Sequence, residues 1–288
     1  MRRRDVEGAH PFSQEIAQAC GIYELGGLLM DDQGGFTAVV EAFELSKNEA
    51  AGGVHLSDLL RQGGYYSGLC IGCLLARQLG VETHLFVKIE GEPEICQYQI
   101  AAEESGDSLA LKEVTHARLT EDDFVEWWAQ HKQTKQTKGY RTDFQRRAEN
   151  SYFDSVLESH GLRWGGNVDG LLVSPENGNQ VTAVIENRYT RKCPIRNYDP
   201  AKHFHDDINT WRPLILLREQ LDVPLLLMTY SRRTGEGRKA GLAQVINGPG
   251  DTDKLLYANS PALRRPVPPN QRIITSVDAA KQWLAAFR

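Results

Sequence analysis

Long apolar runs are missing from this sequence. No stretch of its 288 residues approaches the roughly 20 apolar residues that a membrane-spanning helix needs, so no membrane partner is expected. The arginines of "MRRRDVEGAH" are not followed by an apolar segment either, and no signal peptide is read there. Cysteine is sparse and odd in number, five in all and scattered, which argues against a disulfide framework and for reduced thiols in a cytoplasm. Cys70 and Cys73 share the apolar run "SGLCIGCLLARQL" without a second Cys or His pair at zinc spacing, so they read as buried small hydrophobes. No Ser-His-Asp arrangement can be argued from spacing. The segment "TGEGRKAG" lacks phosphate-loop spacing and precedes a strand, so it reads as a basic turn.

What is present is the composition of an ordinary globular protein, 41% hydrophobic and 25% charged. The net charge of −5 hides an asymmetry. Residues 1–130 hold 9 Lys+Arg against 22 Asp+Glu, a net of −13, and the remainder is +8. Two modules with different partners are expected, the second suited to a polyanion.

The pattern along the chain supports a boundary in the same region. Residues 1–131 read as an acidic α+β module: "FTAVVEAFEL", "THLFVKIEG", "EICQYQIAAE" and "SLALKEV" as strands, "HLSDLLRQGGYYSGLCIGCLLARQLG" and "EDDFVEWWAQH" as helices. Residues 132–142, "KQTKQTKGYRT", are polar and basic without periodicity and read as a linker. Residues 143–288 then give a helix, a strand pair, a helix broken or restarted at Pro213, and the fully apolar strand "VPLLLMTYS". "LAQVIN" and "RIITS" follow as strands, and "VDAAKQWLAAF" as a closing helix. The order α-β-β-β-α-β is an α/β sandwich core.

The strand pair carries the chemistry. Asn177-Gly178 signals a tight hairpin turn. If those two residues centre a symmetric loop, Asp169 pairs with Glu186, with their Cβ atoms about 5 Å apart on one face. Two carboxylates so placed repel unless a cation lies between them, and hard oxygens suit Mg²⁺. Pro175 or a bulge would shift that register by one.

A helix, a strand with Asp, a turn, a strand ending in Glu-x-basic, then helix and strand, resembles the PD-(D/E)XK nuclease superfamily, which includes many restriction endonucleases. The resemblance covers roughly residues 143–235 and lies in order and spacing. It implies a restriction-endonuclease-like αβββαβ core in the C-terminal half, with Asp169 and Glu186 as metal ligands. Glu149, beside the apolar face of the preceding helix, matches the further glutamate of some members. The family's lysine is Arg188 here, a departure, because arginine stays protonated and cannot act as a base. Three readings follow: Arg188 serves in its place, Lys192 has taken the role, or catalysis has decayed. The first two are preferred.

The resemblance implies one or two Mg²⁺, with Mn²⁺ able to substitute, polarising a scissile phosphate and activating water for in-line attack. Arg188 or Lys192 would stabilise the developing charge. Arg191, Arg196, Arg232, Arg233, Arg238 and Lys239, with Lys135 and Lys138 of the linker, are read as contacts to a nucleic-acid backbone, DNA in the first instance. "KHFHDD" reads as a polar helix start. A free-standing chain of this size is expected to be a restriction or defence endonuclease, acting as a dimer or with a partner protein on its acidic N-terminal module.

Overall fold

A computed structural model describes residues 1–3, 10–51, 56–105, 108–131, 151–174, 176, 178–191, 193–198, 204, 207–258 and 272–288. In chain order the elements begin with β1 (Arg2–Arg3), α1 (Pro11–Cys20), β2 (Ile22–Met30) and β3 (Phe36–Leu45). Then come α2 (Lys47–Ala51), α3 (Leu56–Gln62), α4 (Tyr66–Leu79), β4 (Glu82–Ile89), β5 (Ile95–Ser105) and β6 (Ser108–Leu119). Helices α5 (Glu121–His131) and α6 (Tyr152–Ser159) precede β7 (Gly166–Ser174) and β8 (Gln180–Thr190). The remainder is α7 (Ile208–Leu221), β9 (Leu225–Ser231), β10 (Ala240–Val245), β11 (Arg272–Ile274) and α8 (Val277–Leu284). No helix among the described residues is long and apolar enough to cross a membrane.

The chain is mixed α/β and forms two compact units, Met1–Glu7 with Leu25–Asn167, and Gly8–Glu24 with Val168–Arg288. These units do not follow the linear division expected at residues 131–143. Both are discontinuous, and the Leu25–Asn167 part of the first is inserted into the sequence of the second between Glu24 and Val168. Regrouped this way, the first unit holds 16 Lys+Arg against 24 Asp+Glu and the second 17 against 14. The charge asymmetry shrinks but keeps its sign.

In the first unit the strand order is β2-β3-β4-β5-β6. Strands β3 and β4 are parallel and connected through α2 to α4, while the other successive pairs are antiparallel. One face packs Phe43, Leu85 and Val87 against Leu59 and Leu60 of α3 and Leu69, Cys70 and Cys73 of α4. Burial raises both thiols, Cys70 to about 11 and Cys73 to about 12, so neither is a ready nucleophile or ligand. The other face packs Val40, Ala42 and Phe86 against Phe124 and Trp128 of α5. Phe153, Val156 and Leu157 of α6 join that same core. The helix expected to open the C-terminal module is therefore part of the first unit, where its apolar stripe is buried.

The second unit begins with a helix that the sequence reading did not assign. Helix α1 has Pro11 at its first position, His10 capping the Phe12 amide through Nδ1 at 3.2 Å, and a left-handed Gly21 ending it. Its Phe12, Ile16 and Cys20 form an i, i+4, i+8 stripe. With Ala280 and Leu284 of α8, they cover Leu172, Ala183, Ile185, Leu226, Met228 and Tyr230 on one face of the sheet β11-β10-β9-β8-β7. Only β8 and β9 run parallel; the other pairs are antiparallel. Helix α7 lies on the opposite face, burying Trp211, Leu214, Ile215 and Leu217. Pro213 does not break α7, contrary to expectation. It falls in the second turn, where its missing N–H removes a single helical bond.

Candidate active site

The hairpin register sets the site. Gly170 pairs with Ile185, Leu171 with Val184 and Leu172 with Ala183, and one further step along that register puts Asp169 opposite Glu186. Nearer the turn the pairing is offset by one, Val173 with Val181 and Ser174 with Gln180, and a bulge between Leu172 and Val173 corrects it. The left-handed residues of the turn are Gly178 and Asn179, one step later than the Asn-Gly signal implied. Asn177 itself lies outside the described residues. The pairs next to the turn sum to 354, one less than a symmetric Asn177-Gly178 loop gives, and the bulge restores 355.

Strand alternation decides the face. Leu172, Ala183 and Ile185 belong to the core under α1 and α8, so Asp169, Leu171, Glu186 and Arg188 project toward the α7 side. The two carboxyl groups act on each other's titration. Asp169 Oδ2 also accepts from the Asn187 backbone amide at 2.8 Å. Glu186 is only 4% exposed. Burial raises it well above the usual carboxylate range, and the facing Asp169 adds to that. Burial raises Asp169 too, opposed by the Asn187 amide and Arg188.

Arg188, two residues beyond Glu186 on the same face, reaches back. Its Nε lies 2.9 Å from Glu186 Oε1, close enough to pair charges but off the hydrogen-bond line. Its Nη1 donates to Asp207 Oδ2 at 3.3 Å, and its guanidinium carbon stands 4.9 Å from the Trp211 ring centroid. Asp207 sits at the N-cap of α7 without capping an amide. Tyr198, raised by burial, feels the charges of Arg188, Asp207 and Glu186. Sequence reasoning missed Tyr198 and Trp211 and took Asp207 only as a polar helix start. A carboxylate at a helix start beside an aromatic one turn on was the available signal.

Parallel pairing of Thr190 with Ser231 brings the chain after β8 beside the chain after β9. Arg232 N–H donates to Thr190 O at 3.0 Å, and Ile195 N–H to Glu236 Oε2 at 3.3 Å. Arg191, Arg196, Arg232 and Arg233 are all exposed at this end of the sheet, the end at which Arg188 stands. Arg232 also covers the Tyr189 ring at 5.7 Å. Arg238 is already engaged by Glu15 at 3.0 and 2.8 Å, and Lys239 by Glu236 at 3.9 Å. Glu149, Lys135, Lys138 and Lys192 lie outside the described residues. Among the described residues no three His, Cys, Asp or Glu side chains gather as a metal-binding group. Among the described residues the facing acidic pair is Asp169 and Glu186.

Comparison with protein-family models, curated proteins and solved structures finds no match to this chain.

Proposed function

We propose that the chain is a Mg²⁺-dependent nuclease that hydrolyses phosphodiester bonds of DNA, and that it serves as a restriction or defence endonuclease. One observation carries this reading: a buried carboxylate, Glu186, and a half-buried one, Asp169, face each other across a hairpin, with a basic residue two positions after the second. A folded chain keeps such a repelling pair at a cost unless a cation joins it. The donor set therefore fits a hard divalent ion held by Asp169 and Glu186, with Mn²⁺ substituting. When bound, the ion supplies polarisation of the phosphate and activation of water.

The chain order of the second unit supports the same reading. Helix α1, the start of β2, then β7, β8, α7 and β9 give α-β-β-β-α-β, the order of the PD-(D/E)XK superfamily, with residues 25–167 inserted after the first strand. Helix α1 thus takes the place that the sequence reading gave to residues 143–160. Arg188 contributes positive charge to the phosphate, held in aim by Asp207. Exposed Arg191, Arg196, Arg232 and Arg233 track the DNA backbone.

A second reading has one observation in its favour. Arg188 replaces the lysine and is engaged by Glu186 and Asp207, as in a fold that has kept nucleic-acid binding and lost catalysis. Incubation with plasmid, linear and single-stranded DNA, with and without Mg²⁺, decides between them. Metal-dependent cleavage lost in Asp169→Asn establishes the nuclease; DNA binding without cleavage or Mg²⁺ binding establishes the second.

A further inference from the structure

Several buried hydrogen-bond donors on the α7 side of the second unit lack acceptors among the described residues, and those of Thr229, Trp211 and Arg188 belong to neighbouring residues. Thr229 is 0% exposed and its Oγ1 has no partner among the described residues. Trp211 is 0% exposed and its indole N–H likewise has none. Arg188 directs Nη1 at Asp207 and Nε at Glu186, which leaves Nη2 buried and unpaired. These three residues are neighbours. Arg188 and Thr229 are partners in the parallel β8–β9 register, so their side chains stand side by side on one face about 5 Å apart. The guanidinium stands at the Trp211 ring.

Thr83 Oγ1 and Arg218 Nε are also buried without partners among the described residues, but other indoles and hydroxyls are satisfied. The indole N–H groups of Trp128 and Trp164 both find carbonyls, of Arg163 at 3.0 Å and Gly26 at 2.7 Å. On the strands of the site itself, Thr190 Oγ1 donates to Cys193 O at 3.0 Å, and Ser231 Oγ accepts from the Arg233 amide at 3.2 Å. Indole and guanidinium groups donate only, and a threonine hydroxyl donates readily. What the three lack is a set of acceptor oxygens, and the guanidinium favours an anionic one.

We propose that Thr229 Oγ1, Trp211 Nε1 and Arg188 Nη2 form an oxyanion subsite that receives the non-bridging oxygens of a phosphate group. The subsite rests on the nuclease reading for its purpose, since it places the phosphate beside Asp169 and Glu186. Its donors are assigned independently of that reading. Thr229 and Trp211 thereby become substrate-positioning residues alongside Arg188.

The test uses the full chain and inorganic phosphate, titrated in metal-free buffer while thermal unfolding is followed. The wild type is expected to gain stability with phosphate. Thr229→Val should fold at least as stably without phosphate, because it deletes an unsatisfied hydroxyl, yet bind phosphate about tenfold more weakly. Trp211→Phe should weaken binding similarly, and Thr229→Ser should retain it. Absence of a phosphate-dependent shift in the wild type, or equal shifts in wild type and Thr229→Val, overturns the proposal, whether or not Trp211→Phe folds. Asp169→Asn separates the two claims, since it is expected to abolish cleavage and keep metal-free phosphate binding. Phosphate binding at these residues without cleavage of any nucleic acid leaves the subsite standing and removes the nuclease. DNA cleavage unimpaired by Thr229→Val removes the subsite alone.

Discussion

Arg188 turns back along its own strand, with Nε 2.9 Å from Oε1 of Glu186 two residues earlier. Asp207 takes Nη1 of the same guanidinium at 3.3 Å. One cation thus sits between two carboxylates, and a third, Asp169, presses on Glu186 from across the hairpin. This arrangement gives the site its testable consequences.

The charge of Arg188 is expected to count for more in the transition state than in DNA affinity, which the exposed arginines dominate. Arg188→Ala should lower cleavage by about 10²-fold or more and leave DNA affinity nearly intact, as removal of a preorganised electrostatic group does. Arg188→Lys should retain some activity, and Lys192→Ala should cost less than Arg188→Ala. Rates are to be compared at saturating Mg²⁺. The opposite order for Arg188 and Lys192 reverses their roles. Indifference of both, together with an active Asp169→Ala, ends the nuclease reading.

The carboxylate pair should report metal directly. Asp169→Asn removes one of two facing acids and keeps an oxygen for the Asn187 amide, so metal-free unfolding should move up by about 2–4 °C. The same variant should lose the stabilisation that Mg²⁺ confers on the wild type. A Mg²⁺-dependent shift of equal size in wild type and Asp169→Asn would place the ion elsewhere.

Exposed arginines should dominate DNA affinity. Removing Arg196 and Arg233 together is expected to reduce the slope of log affinity against log salt by about 2, near 0.9 per phosphate contact. Arg238→Ala should change it little, because Glu15 already engages that guanidinium. A larger loss from Arg238 than from Arg233 would redraw the interface.

A histidine in the first unit gives a pH signature unconnected with the site. His84 is lowered by burial and by the charge of His131, against the raising effect of Glu82, with Gln97 at its Nδ1 and Trp127 packed on its ring. A folded-state pKa below the unfolded value stabilises the fold above about 6.5, the usual histidine value, and that contribution fades as pH falls through the folded pKa. Melting temperature should therefore drop on acidification from pH 7 to pH 5, and drop less in His84→Gln. Parallel curves for the two proteins would show that folding leaves the pKa of His84 where it is in the unfolded chain.

Much of the secondary structure was legible in the sequence, because it follows from period and punctuation. Strand alternation marked β3 to β6, and β7 and β8 were marked by apolar runs flanking a turn. The unbroken apolar run of β9 announced a strand buried on both faces, as found. Helix α1 was passed over although Pro11, Gly21 and the stripe of Phe12, Ile16 and Cys20 were all in view. Its first apolar residues simply look weak beside the charged segment before them. The pairing of Asp169 with Glu186 was reached by symmetric-turn reasoning, but it holds because a bulge makes up a one-residue offset in the pairs next to the turn.

By itself, then, the sequence determined most of the helices and strands, α1 and β2 excepted, and it determined that Glu186 and Arg188 share a strand face, since those depend on near neighbours and fixed periods. Tertiary structure alone decided which helix joins which sheet, because α1 and α6 carry equally apolar stripes and only the packing partner differs. It also decided that Thr229, Trp211 and Asp207 surround Arg188. Those residues meet through a parallel pairing of β8 with β9 and a helix laid over both, contacts between segments tens of residues apart that no local pattern encodes.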